Sequence, residues 1–341
     1  MALGTYTLLD LAARSSKNVQ AVLEGVLTFA PELRVFPCFP KSGVTYSTLT
    51  RTELPTGAFR NVGGGVPVTK SAWDKKLGSM AVFEAAMRVP EDIVVAAQSE
   101  NADLILGDLL ADEAIATVRG SAITIGSQVW YGTAINAAGF VGLSTQIDSN
   151  DNQINAGGSG TASSSSVYLV YLDDNVVNPQ GIHFLLGNSG RMTMNDVWLK
   201  QQLAISGSNP QLLYMAYINN FLAYLGFVMA RPQNAYRVVN VTSAYPFSDA
   251  VAAALLAKVP YALQQDLTKW RWMMNTSARL SLQASRATVN VATPANKGLS
   301  AGGVYPELPV SAMGITIQVT DSLLPNEHAG VFQSLVAQPA L

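Results

Sequence analysis

Residues Val44–Met87 read VTYSTLTRTELPTGAFRNVGGGVPVTKSAWDKKLGSMAVFEAAM, and the fold turns on how this stretch is read. Val44 to Arg51 is rich in β-branched residues and keeps a strand's period of two, which suits a pleated ribbon better than a helix. Leu54-Pro55-Thr56-Gly57 and then Gly63-Gly64-Gly65 interrupt the pattern, and the chain returns through Val66 to Lys76 with Met80 to Met87 behind it. A polar, glycine-tipped ribbon of this kind buries too little apolar surface to be stable alone. It must lie on something. The expected support is a neighbouring copy of the chain.

A helix follows the ribbon. Pro90-Glu91-Asp92 announces one, and from Asn101 to Tyr131 the pattern is helical, with Leu106, Leu110, Ala114 and Val118 at a spacing of four. Asp103, Asp108, Asp112 and Glu113 lie in its first half, where acids suit the helix dipole. Gly120 is a candidate kink. Before the ribbon, Thr5 to Arg14 and Val19 to Phe29 read as two short helices of an arm, and Pro37 and Pro40 force an extended path.

Beyond the long helix, Asn155 to Ser166 (NAGGSGTASSSS) reads as a flexible surface loop. Val167 to Leu172 and Ile182 to Leu186 are expected as short apolar strands around a turn. Leu212 to Val241 reads as long strands, and Asp249 to Lys258 as a helix ended at Pro260. Trp270 to Arg286 begins as strand and becomes helix after Asn275, a suitable N-cap. Ile315 to Thr320 alternates as a strand. The fold class is α+β, with no βαβ repetition.

Composition narrows the function. The 341 residues suffice for two or three compact lobes; 49% are apolar, which is ordinary, but only 13% are charged, about half of the roughly 25% usual in soluble domains. Interface cores are depleted in Lys, Glu and Asp, so the shortfall points to a surface largely covered by partners. A net charge of −2 provides no broad basic field for nucleic acid, and contact with DNA is expected to be weak and unspecific. Cys38, the sole cysteine, excludes an internal disulfide and a thiolate-rich metal site. No signal-peptide layout opens the chain, which favours an intracellular origin. Leu212 to Ala230 carries no charge and is long enough to span a bilayer. Asn219-Asn220 at its centre and its five aromatic residues favour a buried strand instead, and no membrane association is expected.

The residues that chemistry would need are few. His183 sits in an apolar strand and reads as a hydrogen-bonded core or interface imidazole, and His328 as a solvated loop residue. No HExxH spacing and no nucleophile elbow occurs, and Gly63-Gly64-Gly65 fits no phosphate-binding motif, leaving a turn with positive φ as its reading. Asp108 and Asp112, one turn apart, read as a solvated face, and Cys38 as a small apolar filler. Arg279 and Arg286 share a helix face, for which an ion pair between subunits is the ordinary account. Asn240-Val241-Thr242 and Asn275-Thr276-Ser277 match the glycosylation triplet but carry no weight without a signal peptide. No catalytic, cofactor-binding or metal-binding residue is expected, and the chain is expected not to be an enzyme.

Several stretches in order carry a family likeness: TLLDLA (Thr7 to Ala12), ELPTGAFRNVGGGV (Glu53 to Val66), QVWYG (Gln128 to Gly132), GFVGL (Gly139 to Leu143), AYINNFLAYLGFVMARP (Ala216 to Pro232), WRWMMNTSARLSLQ (Trp270 to Gln283) and ITIQVTDSL (Ile315 to Leu323). With the arm, ribbon and long helix they resemble the major capsid proteins of tailed phages with the Hong Kong 97 fold, in the branch similar to the epsilon-15-type podovirus capsid proteins. The resemblance implies an N-terminal arm (1–42), an extended two-stranded loop (43–92), a spine helix with the start of a peripheral domain (93–145), and interleaved peripheral and axial domains (146–341). It implies hexamers and pentamers closing into an icosahedral virion shell around packaged double-stranded DNA. A separate scaffolding protein, a portal and a decoration protein are the implied partners, with assembly in the host cytoplasm. Some relatives crosslink through a loop lysine, but nothing singles out Lys70, Lys75 or Lys76, and no covalent crosslink is expected. The rival readings are another shell or phage structural protein, such as a nanocompartment, tail or decoration component, and a hydrolase with an unrecognised carboxylate site.

Overall fold

The computed structural model describes residues 30–100, 106–147, 150–158, 164–173, 180–194, 199–206, 209–292 and 308–327. The two helices expected before Phe29 lie outside them, as do residues 101–105 at the start of the expected long helix. Three sheets organise the described chain. The strands are β1 (Cys38–Pro40), β2 (Thr45–Glu53), β3 (Ala72–Ser79), β4 (Ala81–Pro90), β5 (Gln153–Asn155), β6 (Ser165–Tyr171), β7 (Ile182–Leu186), β8 (Thr193–Met194), β9 (Leu199–Ser206), β10 (Asn209–Met229), β11 (Ala235–Val241), β12 (Trp270–Met274), β13 (Ser311–Ala312) and β14 (Ile315–Val319). The longer helices are α1 (Glu91–Glu100), α2 (Leu106–Tyr131), α3 (Asp249–Lys258) and α4 (Thr276–Ala292).

The uncharged run that is long enough to cross a bilayer forms β10, the central strand of the first sheet, flanked by β4 and β7 along the order β1-β7-β10-β4, with β8 and β9 also on it. Its pleat explains its composition. Phe221, Ala223, Leu225 and Phe227 point into the main core, while Asn220, Leu222 and Tyr224 between them lie on the opposite, more open face. Among the described residues no helix is long and apolar enough to cross a membrane.

The second sheet runs β13-β14-β12-β6-β11-β5 and is covered on both faces. Val167 and Leu169 of β6 and Trp270, Trp272 and Met274 of β12 meet Ala252 and Leu255 of α3 and Ala278 and Leu282 of α4. The alternate residues Tyr168, Val170 and Met273 face Trp130 and Tyr131 of α2 and Phe184 and Phe227 of the first sheet. Two cores therefore share one sheet, and its strands read as continuous apolar runs for that reason.

This double burial corrects two expectations. β6 and β7 do not pair around a turn: β6 pairs with β11 and β12, whereas β7 pairs with β1 and β10 in the other sheet. Strands apolar at nearly every position show no preferred face, so their partners are not visible in sequence. Nor is Asn155–Ser166 wholly a surface loop. Ser164, Ser165 and Ser166 are buried, the last two in β6: the Ser166 hydroxyl bonds Glu327 and Arg237, Ser164 O accepts from Glu327 N, and Ser165 pairs with Val241 of β11; residues 159–163 lie outside the described chain.

Helix α2 is 26 residues long, about 39 Å at 1.5 Å per residue. Leu110, Ala114, Val118, Ala122, Ile125 and Val129 form its buried stripe. It runs unbroken through the expected kink at Gly120, where Ser121 Oγ donates to Thr117 O at 2.7 Å and Thr124 Oγ1 to Gly120 O at 2.9 Å. The other boundaries follow local chemistry. Ser248 caps α3 by accepting from Val251 N, and Asn275 Oδ1 caps α4 by accepting from Ala278 N at 2.8 Å.

Candidate functional site

β2 and β3 form a sheet of their own, paired antiparallel from Thr45↔Ser79 to Arg51↔Trp73. The return strand is shorter than the sequence suggests: it begins at Ala72, and residues 54–71 have no regular structure. Pro55 and Pro67 contribute to this, each removing a backbone donor from any ladder. Every residue from Glu53 to Lys70 is exposed. Phe59, Val62 and Val68 keep essentially none of their surface covered.

Only local polar bonds shape this tip. Gly63 takes φ +84° and Gly64 N donates to Asn61 O at 3.0 Å, the positive-φ turn expected of the triple glycine. Arg60 Nη1 donates to Gly64 O at 2.8 Å, and Thr69 Oγ1 reaches across to Thr56 O at 2.9 Å. No apolar cluster of the described residues includes a residue of the tip.

The root of the ribbon, by contrast, is anchored. Phe39, Met80, Leu185 and Val228 make a small buried cluster with Tyr46 and Tyr224 against it, and Met80 N donates to Val44 O at 2.8 Å. The body thus aims the ribbon without covering it. A tip held out with Phe59, Val62 and Val68 bare suits contact with another surface.

The residues weighed for chemistry sit elsewhere. His183 is buried beneath Phe39 with its ring 5.2 Å away, and its Nδ1 lies 3.1 Å from Gly181 O. Burial lowers its pKa to about 4, so it is a neutral core imidazole. Cys38 is fully buried in β1, and burial pushes its thiol far above the usual range; it is a filler. Asp112 is exposed, whereas the side chain of Asp108 and the whole of His328 lie outside the described residues. Lys70 and Lys75 are exposed on the ribbon, and nothing is described of the Lys76 side chain.

Arg279 and Arg286, expected to form an ion pair between subunits, each find a partner within their own chain. Arg286 forks onto Asp249 of the same chain, at 2.8 and 2.7 Å, and Arg279 Nε donates to Pro309 O at 2.9 Å. Both guanidiniums tie α4 to its own surroundings. A small cleft between α2, β4 and the 136–140 turn, lined by Phe83, Ile125, Gln128 and Phe140 among others, has no acid, base or thiol in its walls. Among the described residues no group of three or more His, Cys, Asp or Glu is placed to hold a metal ion.

Sequence reading missed one buried polar cluster. Arg237 Nη2 meets Glu327 Oε2 at 2.9 Å, with both side chains 3–4% exposed. Ser166 Oγ donates to the same carboxylate at 2.6 Å and Tyr131 Oη bonds it at 3.2 Å. The available signal was Arg237 standing alone in the apolar run Ala235–Val241, since a charge there needs a partner.

A family profile described as Major capsid protein GP7 matches residues 35–331. The fold is similar to that in a solved structure of bacteriophage Epsilon15, at 13% identity and a TM-score of 0.57 over 83% of this chain and 85% of that one. It is also similar to that of the bacteriophage JBD30 capsid, at 10% identity and a TM-score of 0.46 over 94% and 96%. No curated protein matches the sequence significantly.

Proposed function

The chain belongs to the GP7 family of major capsid proteins, and from that premise we propose that copies of it, as hexamers and pentamers, close into an icosahedral shell around double-stranded DNA. The observation that carries this reading is the ribbon: an anchored root and a tip exposed from Glu53 to Lys70, with Phe59, Val62 and Val68 uncovered. In the assembled shell this tip lies across a neighbouring subunit, which supplies the cover that its own chain does not.

The subunit divides into an arm (1–42), an extended loop (43–92), a spine with the start of the peripheral domain (93–145), and interleaved peripheral and axial domains (146–341). Two cores on either side of the second sheet support this division: the α2 side suits the peripheral part and the α3–α4 side the axial part. The role is structural, without catalysis, cofactor or metal. A separate scaffolding protein, a portal and a decoration protein complete the assembly in the host cytoplasm, and a net charge of −2 leaves the contact with packaged DNA weak and unspecific.

Size-exclusion chromatography followed by electron microscopy of the purified chain tests the proposal. Closed shells or capsomer rings are expected. A stable monomer under all assembly conditions, scaffold included, overturns it.

A further inference from the structure

Glu32 is completely buried in the helical turn Glu32–Val35, near the start of the described chain. Its Oε1 accepts from Trp130 Nε1 at 2.7 Å, at the end of α2, and from Thr320 Oγ1, just past β14. Its Oε2 has no hydrogen-bond partner, and neither has Ser322 Oγ, although the Ser322 hydroxyl faces the same carboxyl. Gly126 of α2 leaves room for the pair: a Cβ there would stand 2.5 Å from Ser322 Oγ and 3.4 Å from Glu32 Oε2.

Among the described residues no cation compensates this carboxyl. Arg34 on the same turn and Asp321 between its partners are both exposed. Behind Trp130 stands the ring of Tyr168, 5.0 Å away, and Arg237 and Tyr131 are engaged with Glu327. No ion pair among the described residues includes Glu32. A carboxylate so placed is costly, and such groups take up a proton instead.

We infer that Glu32 is held as a neutral carboxylic acid whose Oε2 hydroxyl donates to Ser322 Oγ, joining the N-terminal turn, the end of α2 and the strap after β14 in a lock that alkali releases. One proton then satisfies both orphaned atoms. Burial raises the Glu32 pKa above its ordinary value, and Thr320, Trp130, the Glu32 backbone N–H and the Ser322 hydroxyl facing the carboxyl oppose that rise without cancelling it. The native chain therefore keeps a proton that the unfolded chain has released. Stability from the lock is full below the unfolded pKa and is lost as pH rises through the folded one.

Thermal unfolding of the full-length chain, wild type against Glu32→Gln, from about pH 5 to about pH 9 tests this. The glutamine amide copies the neutral acid, with its oxygen accepting and its nitrogen donating to Ser322. The two proteins are expected to unfold together at low pH, with wild type falling behind by about 2–4 °C or more as pH rises. A difference that does not change with pH overturns the inference. The infrared spectrum of the wild type at neutral pH, which needs no variant to fold, is expected to show the carbonyl stretch of a protonated carboxyl; its absence overturns the inference as well.

Discussion

Arg237 and Glu327 are ninety positions apart in sequence, and their pairing holds the segment after β14 against β11 and the end of α2. Tyr131 adds to it, since its hydroxyl also accepts from Leu324 N at 2.7 Å. Removing one charge of such a pair leaves the other buried and uncompensated, at a cost of about 3–5 kcal/mol. Glu327→Ala is therefore expected to lower denaturant stability by that order, and replacing both residues with apolar ones of similar volume to restore much of it. Equilibrium unfolding in urea measures both. His183 sets a dependence on acid. Its folded pKa of about 4 lies below the ordinary 6.5, so its contribution is full above the unfolded value and is lost as pH falls toward the folded one. The loss approaches about 3 kcal/mol. His183→Gln is expected to flatten the decline in unfolding temperature between those two pH values, as read by calorimetry.

At the scale of elements, the end of α2 is fixed by the turn that follows it. Gln128 Nε2 donates to Phe140 O at 2.8 Å, and the backbone at Gly132 crosses that at Gly142. Gly132 has φ +56°, and a Cβ there would come within 1.9 Å of Gly142 N, which is backbone and cannot move aside. Gly132→Ala therefore meets both a strained dihedral and a backbone clash, and insoluble or unfolded protein is expected. Gln128→Ala is expected to cost about 1–3 kcal/mol by leaving the Phe140 carbonyl without its donor. Circular dichroism and solubility of the two variants check these outcomes. The stretches QVWYG and GFVGL, separate in sequence, thus form one packing unit.

For the whole molecule, the ribbon is the part that does not serve the subunit's own stability. Replacing residues 54–71 with a short turn is expected to leave the unfolding temperature nearly unchanged, because Phe59, Val62 and Val68 lose no cover within the chain, and to abolish shell formation. Differential scanning fluorimetry with electron microscopy reads both halves. A large loss of subunit stability would show that the tip folds back onto its own body. Lys70 and Lys75 lie exposed on the ribbon with no described carbonyl partner, and intact particles boiled in detergent are expected to run as one monomer band. A ladder of multimers would overturn that expectation.

The sequence alone determined what depends on neighbours along the chain. The ribbon's glycine-tipped turn follows from Gly63, the cap of α4 from Asn275, the end of α3 from Pro260 and the strand nature of Leu212–Ala230 from its strand-favouring aromatic residues and the central Asn219-Asn220. Local propensity and periodicity decide each of these, so each was legible. Only the tertiary structure decided the rest. β6 and β7 parted into different sheets, Ser164–Ser166 went inside, Arg286 paired within its own chain, and Glu32 and Arg237 met partners at 320 and 327. Those outcomes depend on which surfaces meet across long separations, and a uniformly apolar strand or a lone charge does not encode its partner.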